Sequence, residues 1–474
     1  MTERYVAPEG SIPTLPVPDL GAVRRVHMIG IGGAGMRNLA RLLIARGICV
    51  TGSDLKESGA VRDLRASGAD VFVGHAAEHL GNPDAVVISS AITERNPELA
   101  EARRRGIEVW MRAQALAAAA RDKRAIAVSG THGKTTTTSM IGLLLERAGL
   151  DPTYVVGGEP NESGSGARLG EGDLFVAEAD ESDGSFLLFA PEVGIIANVE
   201  IDHVDFYRNG LAEIENAFRA FADASANVVA CADDPGAMRS VAGTTSRVVT
   251  YGTGAGANVR LEVISIGPGG ARGVVAAGDE RADVRLAVDG LHNLLNAAAA
   301  IAAAHIVGVP LVVASAGLED FRGVHRRFER RGSARGAVFY DDYGHVPTEL
   351  AVTLDVARRT GPQRLIAVFQ PHRYVRTLAL WRELGASLTE ADVVVVTDVY
   401  GAEQDPIPGV TGKLVVDGIN AADPRRRIVY LPHRRDVIAF LDAEVRAGDL
   451  VITMGCGDVW MLGDAAIERI GADG

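Results

Sequence analysis

Apolar residues fall in short runs that alternate with amphipathic stretches along almost the whole chain. Up to residue 122 the pattern predicts strands at 26–29, 48–52 and 86–89, with helices at 36–46 and 60–67. From residue 123 it predicts strands at 125–128, 174–177, 193–197 and 228–231, with helices at 134–148, 211–224 and 291–307. The segment 257–289 alternates in a β-like way and predicts an added small antiparallel sheet. From 325 onward strands are predicted at 337–340, 365–369, 393–397, 428–431 and 450–454, with helices between them. Strands alternating with helices imply parallel sheets covered on both faces. A chain of 474 residues is too long for one core. The expected fold class is α/β with three domains, 23–122, 123–324 and 325–474, after a flexible segment 1–22. Joins near 122 and 325 would then be hinges, and ligands would sit at strand C-termini.

Composition narrows the function. The chain is 47% hydrophobic and 23% charged, ordinary for a globular protein. A net charge of −13 argues against nucleic-acid partners and against binding to an anionic membrane. Cys49, Cys231 and Cys456 are far apart and lack metal-ligand spacing, so they read as buried small hydrophobes in a reducing compartment. Pro8, Pro13, Pro16 and Pro18 mark a lead-in without the apolar core of a signal peptide. No apolar run reaches the ~18 residues of a membrane helix.

Chemistry concentrates after the predicted strands. Gly130-Thr131-His132-Gly133-Lys134-Thr135-Thr136 follows strand 125–128 and opens helix 134–148. Backbone N–H groups in such a turn point at phosphate oxygens, and the helix dipole favours negative charge there. Lys134 would neutralise the β- and γ-phosphates, and the Thr135 hydroxyl would ligate Mg²⁺. The first glycine of the common phosphate-loop pattern is replaced by Val128. A second glycine turn, Gly30-Ile31-Gly32-Gly33-Ala34-Gly35, lies between the first strand and helix, with Asp54 about 20 residues further on. A diphosphate on the helix N-terminus and a ribose hydroxyl on Asp54 would fit. The motif alone leaves three readings open: NAD(P), another nucleotide diphosphate, or a structural turn.

Acidic clusters follow two further strands. Glu178-Ala179-Asp180-Glu181-Ser182-Asp183 and Asn198-Val199-Glu200-Ile201-Asp202-His203-Val204-Asp205 offer oxygen ligands for Mg²⁺ or solvated loops. His203 reads as a metal ligand or an ion-paired surface histidine. Asn293 and Asn296 would face an adenine edge or cap a helix. The basic run His325-Arg326-Arg327-Phe328-Glu329-Arg330-Arg331 is a solvated linker face or a reach toward phosphate. Asp341-Asp342-Tyr343-Gly344-His345 follows strand 337–340. Arg373 and Arg376, three apart, would share one helical face and suit a carboxylate or phosphate.

As a set, these motifs resemble the Mur ligases, and among them the members that add L-alanine to UDP-N-acetylmuramate. The resemblance covers nearly all of the chain from about residue 25. It rests on residues 30–36, 130–136, 178–183, 202–205 and 292–296, on Arg326-Arg327-Phe328-Glu329, on Phe369-Gln370-Pro371-His372-Arg373-Tyr374 and on residues 398–402. The family also lacks the first phosphate-loop glycine. It usually carries two histidines after Asp-Asp-Tyr-Gly, where this chain has His345 and Val346.

The resemblance implies an N-terminal Rossmann-like UDP-binding domain, a central P-loop ATPase-like domain and a C-terminal Rossmann-like α/β domain. It implies a cytoplasmic, ATP-dependent ligase of peptidoglycan precursor synthesis, active as a monomer or weak homodimer. UDP-N-acetylmuramate and L-alanine would be its substrates, and Mg²⁺, or Mn²⁺ in its place, its cofactor. Lys134, Glu178, His203 and His345 would be catalytic, and Thr135, Glu178 and His203 would hold metal. Residues 130–136, Asn293, Asn296, Arg326 and Asp342 would bind ATP. Gly30, Gly32, Gly33, Ala34, Gly35, Met36, Ser53, Asp54, Ser90, Arg373 and Arg376 would bind the UDP-sugar. Rival readings are a ligase that recycles a preformed peptide onto the same sugar, an NAD-linked oxidoreductase with an ATPase domain, and a non-catalytic UDP-sugar sensor.

Overall fold

The computed structural model describes residues 12–158, 166–203, 206–267, 269–319, 321–402 and 404–472. Residues 1–11 of the proline-bearing lead-in, and Val204 and Asp205 of the acidic motif, lie outside this set. Two compact units result. The first runs to Arg322, apart from Asp202, His203, Gly267 and Gly269, which group with the second unit from Gly323 onward. Among the described residues the strands form sheets of five, ten and six strands.

The first sheet begins the first unit. Its elements are β1 (Arg25–Ile29), α1 (Ala34–Ala45), β2 (Cys49–Asp54), α2 (Gly59–Ala66), β3 (Asp70–Val73), β4 (Ala85–Ile88), α3 (Pro97–Arg104), β5 (Glu108–Met111) and α4 (Arg112–Ala120). The order β3-β2-β1-β4-β5 is parallel throughout. The glycine turn after β1 therefore lies where the strand order reverses, the place such sheets hold ligands. In the described part of the lead-in, Pro16 O accepts from Gln114 Nε2 at 2.6 Å and Val17 O from Arg121 Nη2 at 2.9 Å.

The second sheet continues the unit with β6 (Arg124–Ser129), α5 (Lys134–Arg147), β7 (Thr153–Val155), β8 (Ala167–Arg168), β9 (Leu174–Glu178), β10 (Val193–Ile196), α6 (Leu211–Ala224), β11 (Asn227–Cys231), α7 (Pro235–Val241) and β12 (Arg247–Gly252). Then come β13 (Val259–Gly267), β14 (Gly270–Ala277), β15 (Glu280–Leu286), α8 (Leu291–Ile306) and α9 (Leu311–Ala316). Parallel ladders join β6 to β9 on one side and β10 on the other. Val176, Val193, Ile195 and Ile196 are fully buried, as expected of strands covered on both faces.

The segment 257–289 is not a separate sheet. Tyr251 and Gly252 pair in parallel with Val259 and Arg260, so its three strands extend the central sheet to one edge. The outer pair, β14 and β15, forms the predicted antiparallel ladder from Ala271–Leu286 to Ala277–Glu280. Helix α8 owes its position to composition. Ala297–Ala304 are all within 1% of complete burial, and small side chains let this helix lie closely on α5.

The second unit holds β16 (Glu329–Ala334), β17 (Ala337–Asp342), α10 (Pro347–Arg359), β18 (Arg364–Phe369), α11 (Tyr374–Ser387), β19 (Val393–Val396), α12 (Lys413–Ala422), β20 (Arg427–Tyr430), α13 (Arg434–Glu444), β21 (Asp449–Met454) and α14 (Trp460–Ala472). The order is β16-β17-β21-β18-β19-β20, parallel except for the hairpin β16–β17. The basic run was expected on a linker, but its last residues build β16. Arg331 is bound to Asp464 and lies over Trp460, while Arg326 pairs with Asp341. Among the described residues no helix is long and apolar enough to cross a membrane.

Candidate active site

The phosphate loop leaves β6 at Ser129 and enters α5 at Lys134. Val128 is fully buried within β6, paired in register with Glu178 of β9 and Ile195 of β10. A glycine there would remove core packing and leave the turn unchanged, because the turn begins later. Gly130 has φ +138 and Gly133 φ +79. A Cβ on Gly133 would come within 2.7 Å of Asn296 Oδ1, so only glycine suits both backbone and neighbour.

The loop is fastened to the segment after β10. Thr131 N donates to Asn198 O at 3.1 Å, His132 N to Asn198 Oδ1 at 2.7 Å, and Glu200 N to Thr131 Oγ1 at 3.0 Å. Lys134 Nζ donates to Gly130 O at 2.6 Å and to Glu181 Oε1 at 2.8 Å. Burial works against its charge, but Glu181, Asp180 and Glu178 together raise its pKa above the ordinary lysine value. Thr135 Oγ1 donates to Glu178 at 3.0 Å from Oε2, and Gly157 N donates to the same oxygen at 2.8 Å. A hydroxyl and a carboxylate in contact are the hard oxygen donors that Mg²⁺ prefers, so this pair fits that ion. Of the predicted adenine-facing residues, Asn296 is nearly buried against the loop, and Asn293 Nδ2 donates to Asp289 O at 2.6 Å. Thr136 is 8% exposed in the first turn of α5.

The other glycine turn is held by β2. Gly30 N and Ile31 N both donate to Ser53 O, at 2.8 and 3.0 Å. Gly33 and Ala34 are exposed at the start of α1, and Met36 is buried beneath it. Asp54, expected to meet a ribose hydroxyl, accepts at Oδ2 from Gly32 N at 2.9 Å and at Oδ1 from Lys56 N at 3.3 Å, which shapes the turn itself. Ser53 was expected at the ligand face, but it is completely buried and donates to Glu98 Oε2 at 2.5 Å. Ser90 is exposed after β4.

Sequence reasoning missed what surrounds Ser53. Glu98, on α3 and fully buried, lies 3.5 Å from His27 Nε2, 3.5 Å from His75 Nδ1 and 3.3 Å from His79 Nδ1. Burial would raise its pKa, but hydrogen bonds from His27 and Ser53 outweigh this and hold it below the usual range. The cluster ties β1, β2, the turn at Ala76 and α3 together beside the glycine turn. Its members are far apart in sequence and share no motif spacing. Arg112 was missed for the same reason. It packs over Gly35, its Nη1 lying 3.1 Å from where a Cβ would be, and its Nη2 is 4.0 Å from Asp180 Oδ2.

In the second unit several predicted ligand-facing groups already have internal partners. Arg326 donates to Asp341 Oδ2, to Gly455 O at 2.6 Å and to Gly457 O at 3.1 Å, so its guanidinium secures the turn after β21. Asp342 accepts from Phe328 N at 2.8 Å, Gly344 N at 2.7 Å and Thr353 Oγ1 at 3.1 Å. Burial pushes its pKa up to about 6 against the pull of Arg327, and both of its oxygens face inward. Arg373 and Arg376 do not share a helical face: Arg373 is the N-cap of α11 with φ +66, outside the helix. Arg376, 6% exposed, donates from Nε to Asp202 Oδ1 at 3.0 Å and from Nη2 to Oδ2 at 3.3 Å. Burial would raise the Asp202 pKa, but His203, Arg376 and His345 hold it well below the usual range.

His203, with φ +50, lies in the same group, its Nε2 3.3 Å from Asp202 Oδ2. His345 Nδ1 meets Tyr343 O at 3.2 Å, and burial lowers the imidazole pKa to about 4. Val346 is 3% exposed at the start of α10, so the position of the second histidine is a core position here.

Three family descriptions match the chain in series: the Mur ligase family catalytic domain over residues 25–124, the Mur ligase middle domain over 128–304, and the Mur ligase glutamate ligase domain over 326–457. The UDP-N-acetylmuramate–L-alanine ligase of Rubrobacter xylanophilus is 47% identical, covering 94% of this chain and 100% of that protein. The one from Pelotomaculum thermopropionicum is 44% identical over 94% and 98%. Among solved structures, the UDP-N-acetylmuramate–alanine ligase of Thermotoga maritima superposes with a TM-score of 0.80 at 29% identity, covering 95% and 100% of the two chains. A murein peptide ligase from Psychrobacter arcticus gives 0.75 at 26% identity, over 94% and 99%.

Proposed function

The chain belongs to the Mur ligase family, and on that footing we propose that it joins L-alanine to UDP-N-acetylmuramate with cleavage of ATP, in peptidoglycan precursor synthesis. The observation that carries the chemistry is the contact set of Lys134, Thr135 and Glu178 at the ends of β6 and β9. End-to-end similarity to alanine-adding relatives supports the choice of substrates.

The lactyl carboxylate attacks the γ-phosphorus of ATP, giving an acyl phosphate and ADP. The alanine amine then attacks the acyl carbon, and phosphate leaves from the tetrahedral intermediate. Lys134 stabilises the transferring phosphoryl group, where positioning and charge supply most of the rate. To do so it exchanges Glu181 for phosphate oxygens. Thr135 and Glu178 would hold Mg²⁺, which when bound neutralises phosphate charge. His203 is proposed as a further metal ligand and His345 as a substrate contact. The turn at 30–35 would receive the UDP diphosphate, with Arg112 as a cation beside it. Arg376 would turn from Asp202 toward substrate. The cytoplasm, where ATP and the UDP-sugar occur together, is the proposed location.

The deciding experiment supplies Mg-ATP, UDP-N-acetylmuramate and a panel of amino acids, then measures phosphate and product mass. Phosphate release should require the UDP-sugar together with L-alanine. Preference for a preformed peptide would assign the chain to recycling instead, the activity suggested by the likeness to the murein peptide ligase.

A further inference from the structure

Three side chains with soft or borderline donor atoms meet at the C-terminal edge of the second unit's sheet. His345 follows β17, His372 follows β18 and Cys456 follows β21, which lies between the other two strands. One nitrogen from each histidine and the Cys456 Sγ all lie within 4.8 Å of one another, and all three residues are half-buried. His345 Nδ1 donates to Tyr343 O at 3.2 Å, which leaves Nε2 its lone pair. A carbonyl on one ring nitrogen is the usual outer support of a metal-bound imidazole. The two imidazole rings stand 5.6 Å apart at 75°, and His372 is stacked on Tyr400 at 5.9 Å. Both rings are thus braced by neighbours, His345 by the Tyr343 carbonyl and His372 by Tyr400.

We propose that His345, His372 and Cys456 form a binding site for a thiophilic divalent cation, Zn²⁺ foremost, and that its occupation arrests the enzyme. Two imidazoles and a thiolate form an established donor set for zinc, with a fourth position left for water. At usual zinc bond lengths such ligands stand ~3.5 Å apart, so the cluster need contract by only about 1 Å. The thiol proton passes to solvent as the thiolate binds. Mg²⁺ seeks oxygen donors and does not compete.

The charges around the cluster are mixed, with Arg376 and Arg373 facing His372 and two carboxylates opposing them. Asp202 balances Arg376, and Glu349 Oε2 lies 3.4 Å from His345 Nδ1. Without a cation, Arg376 Nη1 donates to His372 Nδ1 at 3.1 Å. A cation on that nitrogen displaces one guanidinium contact and leaves Arg376 held by Asp202. The arrest rests on the ligase reading of His345 and Arg376; the binding does not.

The test is a Co²⁺ titration of the full chain in excess Mg²⁺. One equivalent should bind with thiolate-to-cobalt charge-transfer absorption and the strong visible bands of a tetrahedral site. Cys456→Ser should abolish the charge-transfer band, and His372→Gln should weaken binding by about tenfold or more. Cys49→Ser, which alters the exposed thiol, should change neither. Zn²⁺ should inhibit wild-type turnover at about tenfold lower concentration than it inhibits Cys456→Ser, whose basal turnover should match wild type. Absence of the band at one equivalent, or its survival in Cys456→Ser, would overturn the site. Full turnover with cobalt bound would overturn the arrest. Should the chain prove inactive as a ligase, the spectrum still decides the site.

Discussion

Lys134 is half-buried with three acidic neighbours, and that environment decides what its loss would do. In Lys134→Ala, phosphate release should fall by about 10³-fold or more, since a charge aimed at the transferring group is gone. UDP-sugar binding should stay near normal by calorimetry. Turnover close to wild type would remove this loop from the chemistry. Glu329 supplies a second residue-scale prediction. Burial opposes its charge, but His325, the Arg326 N–H and Arg331 outweigh it and lower the pKa from 4.5 to about 2. A depressed carboxylate contributes stability that is present above the unfolded value and lost as pH falls. Between pH 4.5 and about 2 this should cost about 3 kcal/mol, and Glu329→Gln should flatten that part of the urea-midpoint profile.

At the scale of elements, α11 and α12 cross with their backbones nearly touching. A Cβ on Gly385 would lie 2.3 Å from Gly418 C, and one on Gly418 2.3 Å from Trp381 O. Gly385→Ala must push the helices apart, and should cost about 2–3 kcal/mol as a lower urea midpoint with an unchanged slope. An unchanged midpoint would show that the crossing has slack. This contact was invisible in the sequence, where neither glycine stands out. By contrast the glycine turns at 30–35 and 130–136 were legible, because a strand, a turn and a helix N-terminus leave a local pattern. The β6 and β10 runs were legible as well: parallel strands buried on both faces read as nearly continuous apolar segments. Helix α4 escaped, since an Ala-rich helix buried on all sides has no amphipathic period. The Glu98 cluster and the partners of Arg326 and Asp342 escaped because they join residues through space, and identity alone does not say which way a carboxylate turns.

On the scale of the whole molecule, the second unit is discontinuous in sequence. Its buried Arg376 is neutralised by Asp202, 174 positions earlier. A fragment beginning at Gly323 would leave that guanidinium buried without its carboxylate, at a cost of about 3–5 kcal/mol. Arg376→Met should therefore act with opposite sign in two settings. It should raise the urea midpoint of the fragment and lower that of the full chain, where Asp202 loses its partner. The same direction in both would show that the pair contributes nothing to folding. The consequence reaches protein engineering: the last 150 or so residues are not a portable cassette. A chimera that exchanges them between relatives must carry the stretch around residue 202 from the same parent, or inherit a mismatched counterion that no repair of the splice point will cure.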